Sequence, residues 1–413
     1  MKDNFIPFHR PSIGEEEINE VVDTLRSGWL TTGPRSARFE RDFSKYVRAP
    51  HAIAVNSATA ALHVALAALE IGAGDEVITT PMTFCATVQV ILHVGATPVL
   101  ADVGADGNID PEEIERRITT RTRAILPVHM AGLPCDMNSI WTLGQKHRLH
   151  VVEDAAHAAG AFYEGRPIGA GPVDGTPVSD AVAFSFYATK NMTTGEGGML
   201  TTYRAELEKT ARMLSLHGTS HNAWDRYTEH GDWHYEVLAH GYKYNLSDLQ
   251  AAIGIHQLRK LEEFIQLRGR YAGIYHRALG DMDEAELPPD NPRCRHAWHL
   301  YILRLNLDRL EIDRDEFIRE LRRRGIGASV HFIPIPVHPF FARLPLARHA
   351  CPRALDLYSR IVSLPLYPAM TEEQVNHVAR SVKDILQRSR RVKFVASGTT
   401  VDADVCSSTK RCL

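Results

Sequence analysis

What this sequence lacks narrows its chemistry first. Six cysteines, Cys85, Cys135, Cys294, Cys351, Cys406 and Cys412, are scattered with no Cys-x-x-Cys pair. That argues against a zinc site and against a disulfide framework. Neither charge dominates. The formal net charge is −3, so no global pull toward nucleic acid or a membrane surface follows. The one basic run, Arg319 to Arg324, reads as a solvated helix face. The N-terminus has no apolar run like a signal peptide, and no uncharged stretch approaches membrane-spanning length. A reducing, cytoplasmic setting is the resulting expectation. Familiar cofactor and hydrolase signatures are also missing. Gly-x-Gly-x-x-Gly, Gly-Lys-Ser/Thr, His-Glu-x-x-His and Gly-x-Ser-x-Gly do not occur.

What is present is the composition of an ordinary globular protein, long enough for two domains. The chain has 413 residues, 44% of them hydrophobic and 23% charged. Ser12 to Ser27 reads as a helix, with Ser12 and Glu15 as its capping box and Ile18, Val21, Val22 and Leu25 as its apolar stripe. From His51 the pattern becomes strand–helix alternation. Strands are expected at Ala52–Val55, Glu76–Thr80, Pro98–Asp102, Arg123–Val128, Leu149–Val152, Ala181–Phe186 and Met199–Thr202. Such βα repeats predict an α/β fold with a mainly parallel sheet covered by helices. A long helix follows from Asp248 to about Leu279, capped by Ser247. A turn-rich connector near Asp281–Pro292 introduces a smaller α+β unit, with strands at His299–Leu305 and Ala328–Ile333 and a last helix from Thr371 to Gln387. The expected division is 1–280 as the large domain, 281–390 as the small C-terminal domain, and 391–413 as a tail.

The chemistry gathers around Ala181–Gly198. A short buried strand stops at Tyr187-Ala188-Thr189, Lys190 follows, and then Gly195-Glu196-Gly197-Gly198. A lysine just past the carboxyl end of a buried strand sits where open α/β sheets place their ligands. Partly desolvated there, it can act as an amine nucleophile or base, although most lysines are solvated surface amines. Asn56-Ser57-Ala58-Thr59 lies between a strand and a helix, which makes an anion site or a plain N-cap. Phe84 falls near another strand end, either for stacking or for core packing. Glu153-Asp154 closes a strand with two acids. Asp154 is then a ligand group or a helix cap, with His157 on the first helical turn after it. Ser57, Ala58, Thr59, Phe84, Asp154, His157, Ser185 and Lys190 together match the needs of pyridoxal phosphate. Its phosphate wants a helix N-terminus and hydroxyls, its ring an aromatic or imidazole partner, its pyridine nitrogen a carboxylate, and its aldehyde a lysine.

Five segments carry a family resemblance. They are Asn56–His63, Thr83–Thr87, Glu153–Ala158, Phe184–Asn191 with Gly195–Gly198, and Gly241–Asn245. In these the chain resembles the DegT/DnrJ/EryC1/StrS sugar aminotransferases, from about Ile6 to Gln387. The resemblance implies fold-type I of the pyridoxal phosphate enzymes and a homodimer with sites at the subunit interface. It also implies amino transfer to a keto group on a nucleotide-linked sugar, with glutamate as the usual donor. Lys190 would then condense with the cofactor's aldehyde and shuttle the proton, and Asp154 would hold the pyridine nitrogen. Phe84 would stack on the ring beside His157. Ser57, Ala58, Thr59 and Ser185 would hold the phosphate. Asn245 would reach the phosphate of the partner subunit's cofactor. Phe8, Trp29, Leu30, Thr31, Thr32, Tyr187, Lys243 and His331 match segments that line the sugar-nucleotide pocket. Gly241-Tyr242-Lys243-Tyr244-Asn245 is similar to a branch of the family that acts on a 4-keto sugar. Other readings are an enzyme of the same fold that dehydrates or aromatises its substrate or acts on a cyclitol ketone, and a cofactor-binding regulator without turnover.

Overall fold

The computed structural model describes residues 5–220 and 234–391. Short runs rich in Val, Ile and Ala form the central sheet, because they bury apolar side chains on both faces. Seven strands lie in the order His51–Val55, Gly198–Thr202, Ala181–Ser185, His150–Asp154, Thr122–Leu126, Glu76–Thr79 and Thr97–Leu100. Gly198–Thr202 runs against both of its neighbours. The other strands all point the same way. Their carboxyl ends therefore share one edge of the sheet, and the amino end of Gly198–Thr202 meets them there.

Helices cover the sheet. Ala58–Ala68 packs its buried Leu62, Val64 and Leu66 on one face. Pro34–Val47 and the helix Asp248–Leu279 pack on the other through Phe39, Phe43, Ile255 and Leu261. Gly254 permits the close approach of this pair. A Cβ there would stand 2.8 Å from the Phe39 ring and from the Thr194 methyl.

The smaller C-terminal sheets follow. Ala285–Glu286, Tyr301–Leu305 and Ile361–Leu364 form one antiparallel sheet, backed by Arg314–Arg323 and Glu372–Arg388. Cys294–Arg295 joins Phe162–Tyr163 and Arg166–Pro167 in another. Ile6 pairs with Ile326 and is buried in the same core as Tyr301 and Phe317. Among the described residues, no helix is long and apolar enough to cross a membrane.

Several sequence expectations need correction. The first helix starts at Glu15, not Ser12. Its N-terminus is closed by the Gly14 amide donating to Glu17 Oε2 at 2.8 Å. Its apolar stripe faces outward, with Ile18 and Leu25 exposed. The inward face is polar because the long helix offers polar partners there. Gln257 Nε2 donates to Glu17 Oε1 at 2.9 Å, and Lys260 Nζ donates to Glu17 Oε2 at 2.8 Å. Ala328–Ile333 is not a strand. Its one ladder contact is Ser329 with Ser363, and the sheet position is taken by Ile361–Leu364. No helix follows Asp154, so His157 lies in a turn closed by the Ala158 amide on the Ala155 carbonyl at 2.8 Å. The polar stretch from Thr219 to His240 is closed at its base by Thr219 pairing with Val237, and 221–233 lie outside the described residues. The expected tail, 391–413, is outside them beyond Arg391.

Candidate active site

The site is built where the strands end. Val55, Gly198 and Ser185 stand side by side in register. Ser57 is the N-cap of Ala58–Ala68, and its Oγ accepts the Ala60 amide at 3.1 Å. The plain capping role is therefore real, and it leaves room for an anion beside the helix N-terminus. The acceptor lone pair serves the helix, the hydroxyl donates to Asn56 Oδ1 at 3.3 Å, a long bond that a ligand could replace, and the first helical amides remain for a ligand. Gly198 lets this turn press against the sheet, since a Cβ there would lie 2.6 Å from the Ala58 nitrogen. Ser57, Ala58, Thr59 and Ser185 thus form one cradle suited to a phosphate.

Asp154 is the last residue of its strand and is buried. Its Oδ1 accepts the Ala156 amide at 3.1 Å, and its Oδ2 accepts the Thr87 hydroxyl at 2.8 Å. Burial pushes the carboxyl pKa up, while Thr87, the Ala156 amide and the nearby Lys190 charge oppose that shift. Lys190 lies in the loop after Ser185, its amide bonded to the Tyr187 carbonyl at 2.9 Å. Asn191 anchors this loop by donating to the Ala297 carbonyl at 2.8 Å. Lys190 is half-buried. Desolvation lowers its amine pKa to about 8, against the pull of the Asp154 carboxylate. The two groups therefore lie close enough to sense each other's charge.

Imidazoles surround this pair. His157 and His299 are both buried, with ring centroids 4.3 Å apart. Burial holds both well below the ordinary histidine range, and the charge of Lys190 adds to the effect. His331 is lowered to about 4 and His9 to about 3, again chiefly by burial. A small cavity beside Lys190 is lined by Phe8, His9, Thr189, His299, His331 and Leu364. Phe8 stacks on His331 at 5.3 Å. Phe84 is 61% exposed, which excludes core packing as its role and leaves its ring available to a ligand.

These residues fit pyridoxal phosphate on grounds internal to the structure. Asp154 is a buried carboxylate with lone pairs left over. His157 Nδ1 is a buried polar atom without a hydrogen-bond partner. The cradle at Gly198 is too tight for a side chain.

The second group of expected residues lies on a different framework. Asn245 pairs with Val55, and its Nδ2 donates to Thr32 Oγ1 at 2.7 Å. Thr32 Oγ1 donates to the Leu246 carbonyl at 2.6 Å, and the Trp29 indole donates to the Thr32 carbonyl at 3.0 Å. Buried Asp248 accepts from the Arg35 and Ser36 amides, which fixes Pro34–Val47 to the long helix. Leu30, Thr31, Tyr187 and Lys243 are exposed. Asn56 Nδ2 donates to the Lys243 carbonyl at 3.3 Å, so this framework adjoins the phosphate cradle.

Sequence reasoning missed Thr83, Thr87, His299 and Phe332. Phe332 stacks on His157 at 5.6 Å and lies 6.3 Å from Phe84. Its neighbour His331 was the available signal. The aromatic composition of Thr83–Thr87 drew attention to Phe84 and away from the hydroxyls flanking it.

A parallel-stranded sheet with one reversed strand, an anion cradle and a carboxylate–lysine pair at its carboxyl edge define a fold-type I, pyridoxal phosphate-dependent enzyme. The comparisons are specific. A profile of the DegT/DnrJ/EryC1/StrS aminotransferase family matches residues 11–383, and the chain belongs to that family. It is 48% identical to the spore coat polysaccharide biosynthesis protein SpsC of Bacillus subtilis over 389 residues, covering 94% of this chain and 98% of SpsC. Among solved structures it is similar to the putative sugar aminotransferase Spr1654 of Streptococcus pneumoniae. The form with pyridoxal phosphate superposes with a TM-score of 0.85 at 34% identity, over 93% of this chain and 99% of that one. Helicobacter pylori PseC, an aminotransferase involved in pseudoaminic acid biosynthesis, superposes with a TM-score of 0.86 at 30% identity, over 93% and 100% of the two chains. The chain is thus a sugar aminotransferase family enzyme.

Proposed function

We propose that this enzyme moves an amino group from L-glutamate to a keto carbon, C4, of a nucleotide-linked deoxy sugar. It does so as a homodimer whose two sites draw on both subunits. The observation that carries the reading is the pairing of Lys190 and Asp154 at the carboxyl edge of the sheet, each shifting the other's proton affinity. The names of SpsC and PseC, which place those proteins in polysaccharide and pseudoaminic acid biosynthesis, support a sugar acceptor. The Lys243-Tyr244-Asn245 form supports the C4 position.

The roles follow from chemistry. Pyridoxal phosphate, when bound, supplies an electron sink for the charge left by loss of the donor's α-proton. Asp154 keeps a proton on the ring nitrogen, Phe84 and His157 orient the ring, and the Ser57–Thr59 cradle with Ser185 holds the phosphate. Lys190 Nζ accepts the α-proton and returns it to the reacting carbon. An amine with a pKa of about 8 is well placed for transfer in both directions near neutral pH. The neutral histidines add no positive charge that would depress the Lys190 pKa further or compete with the ring for Asp154. In the proposed dimer, Asn245 reaches the partner subunit's phosphate. Phe8, Trp29 to Thr32, Tyr187, Lys243 and His331 line the sugar-nucleotide pocket.

The test is spectroscopic. The purified protein should be yellow, and glutamate should bleach its visible band. The bleached protein is then mixed in turn with UDP-, dTDP- and GDP-linked 4-keto and 3-keto sugars. The sugar that restores the band is the acceptor. A band indifferent to glutamate, or restoration by 3-keto sugars alone, would overturn the donor or the C4 assignment respectively.

A further inference from the structure

The segment that presents Phe84 also carries two hydroxyls that point the other way, into the protein. Thr83 and Thr87 are buried, and their Oγ1 atoms are 2.6 Å apart. Thr87 Oγ1 is 2.8 Å from Asp154 Oδ2. An ionised carboxylate only accepts hydrogen bonds, so Thr87 must donate to Asp154. Its own oxygen then accepts from Thr83. The direction of the whole chain, Thr83 to Thr87 to Asp154, is thereby fixed, and each bond polarises the next. Thr87 is the third residue of the helix Cys85–His93, where a threonine hydroxyl commonly bonds back to a carbonyl of the preceding turn. Here it is spent on a carboxylate from another strand. The Ala156 amide holds the other oxygen, so the carboxylate is fixed in both position and rotation.

We infer that Thr87, backed by Thr83, is a positioning residue that keeps Asp154 ionised and aimed at the cofactor's ring nitrogen. The two threonines touch neither substrate nor cofactor. They act through Asp154. This rests on the pyridoxal phosphate reading of the site. Without the Thr87 hydroxyl, a buried carboxylate loses one of its two protein donors and holds the ring-nitrogen proton less firmly. A less positive ring repels the proton on Lys190 Nζ less, so that proton is kept to higher pH.

The holoenzyme and its T87V, T87S and T83V variants test this with two readouts other than turnover. One is the rate at which the cofactor is lost from the protein in the presence of a carbonyl trap. The other is the pH midpoint of the change in the visible band. T87V, nearly isosteric, should lose cofactor about tenfold faster or more, the scale of one hydrogen bond to a charged group. Its midpoint should move up. T87S should recover wild-type behaviour in both. T83V should move the midpoint the same way by a smaller amount, and it carries the test should T87V fail to fold. A midpoint and a cofactor-loss rate unchanged in the folded variants would overturn the inference while leaving the cofactor reading intact. A wild-type protein without a visible band would overturn both.

Discussion

Around Lys190 the polar groups are buried within one chain, whereas around Thr32 and Asn245 they lie beside exposed apolar side chains. In the first region Thr87, Asp154, His157 and His299 are all buried. In the second, Leu30 is 44% exposed, Ile13 just before the first helix is 45% exposed, and the helix turns out Ile18 and Leu25 at 47% and 53%. A folded chain gains by burying such groups, so a stripe left outside while Glu17 and Thr24 are buried is a surface suited to cover by another body. On the proposed reading that body is a second copy. The difference teaches how such a site divides its labour. Proton chemistry needs fixed, dry geometry and is finished inside one chain. On that reading, substrate recognition is left to a surface that association completes.

The largest effect should come from breaking the closed region. K190A should lower amino transfer by about 10⁴-fold or more, because it removes both the nucleophile and the proton carrier. The glutamate half-reaction, followed by single turnover, measures it, and residual turnover near the wild-type rate would sink the assignment. D154N should cost about 10²-fold in kcat, as loss of one preorganised charge does. It also gives a pH test. The Asp154 carboxylate raises the Lys190 pKa, so its removal should lower that value below about 8. Cofactor loading onto the apoprotein needs the free amine. Its rate should therefore climb through about pH 8 in the wild type and reach its plateau at lower pH in D154N.

Most of this closed region was legible in the sequence, and for a physical reason. A parallel strand buried on both faces leaves a continuous apolar run, so its carboxyl end can be located to within a residue or two. Asp154, Ser185 and Lys190 could be placed because they follow such runs. The long helix was equally plain from its cap Ser247, whose hydroxyl accepts the Gln250 amide. What could not be read was orientation. The stripe Ile18–Leu25 has the spacing of a core-facing helix, and nothing local says that Lys260 and Gln257 wait on the opposite side. Ala328–Ile333 alternates like a strand, yet Ile361–Leu364 takes the ladder. Thr87 is invisible as a partner of Asp154 until strand and helix are packed, because the two are 67 residues apart.

The open region is sharpened by subunit mixing. N245A alone should weaken cofactor retention by about tenfold, one hydrogen bond to a charged phosphate. If Asn245 serves the partner's site, hybrids of K190A and N245A protomers contain one site with both changes and one with neither. Activity should then return to about half the wild-type value per hybrid, one of two sites being intact. If Asn245 serves its own chain, mixing restores nothing. In parallel, placing charge on the outward stripe by I18K with L25K should give a single-chain mass in sedimentation and an activity that falls on dilution. Dimers that survive these substitutions would leave the stripe an ordinary surface.

The smallest effect should lie where the two regions meet. Ser57 serves the helix through a lone pair and, on the present reading, turns its proton from Asn56 Oδ1 to the phosphate. S57A should lower the stability of the apoprotein by about 1 kcal/mol, the usual cost of a lost N-cap, and should also loosen the cofactor. S57N separates the roles. Asparagine is as good a cap as serine but offers no hydroxyl. Urea unfolding of the apoprotein should therefore return to wild type in S57N while cofactor retention stays weak. If both recover together, the hydroxyl proton is not a phosphate ligand, and the cradle holds its anion through the helix amides and Ser185.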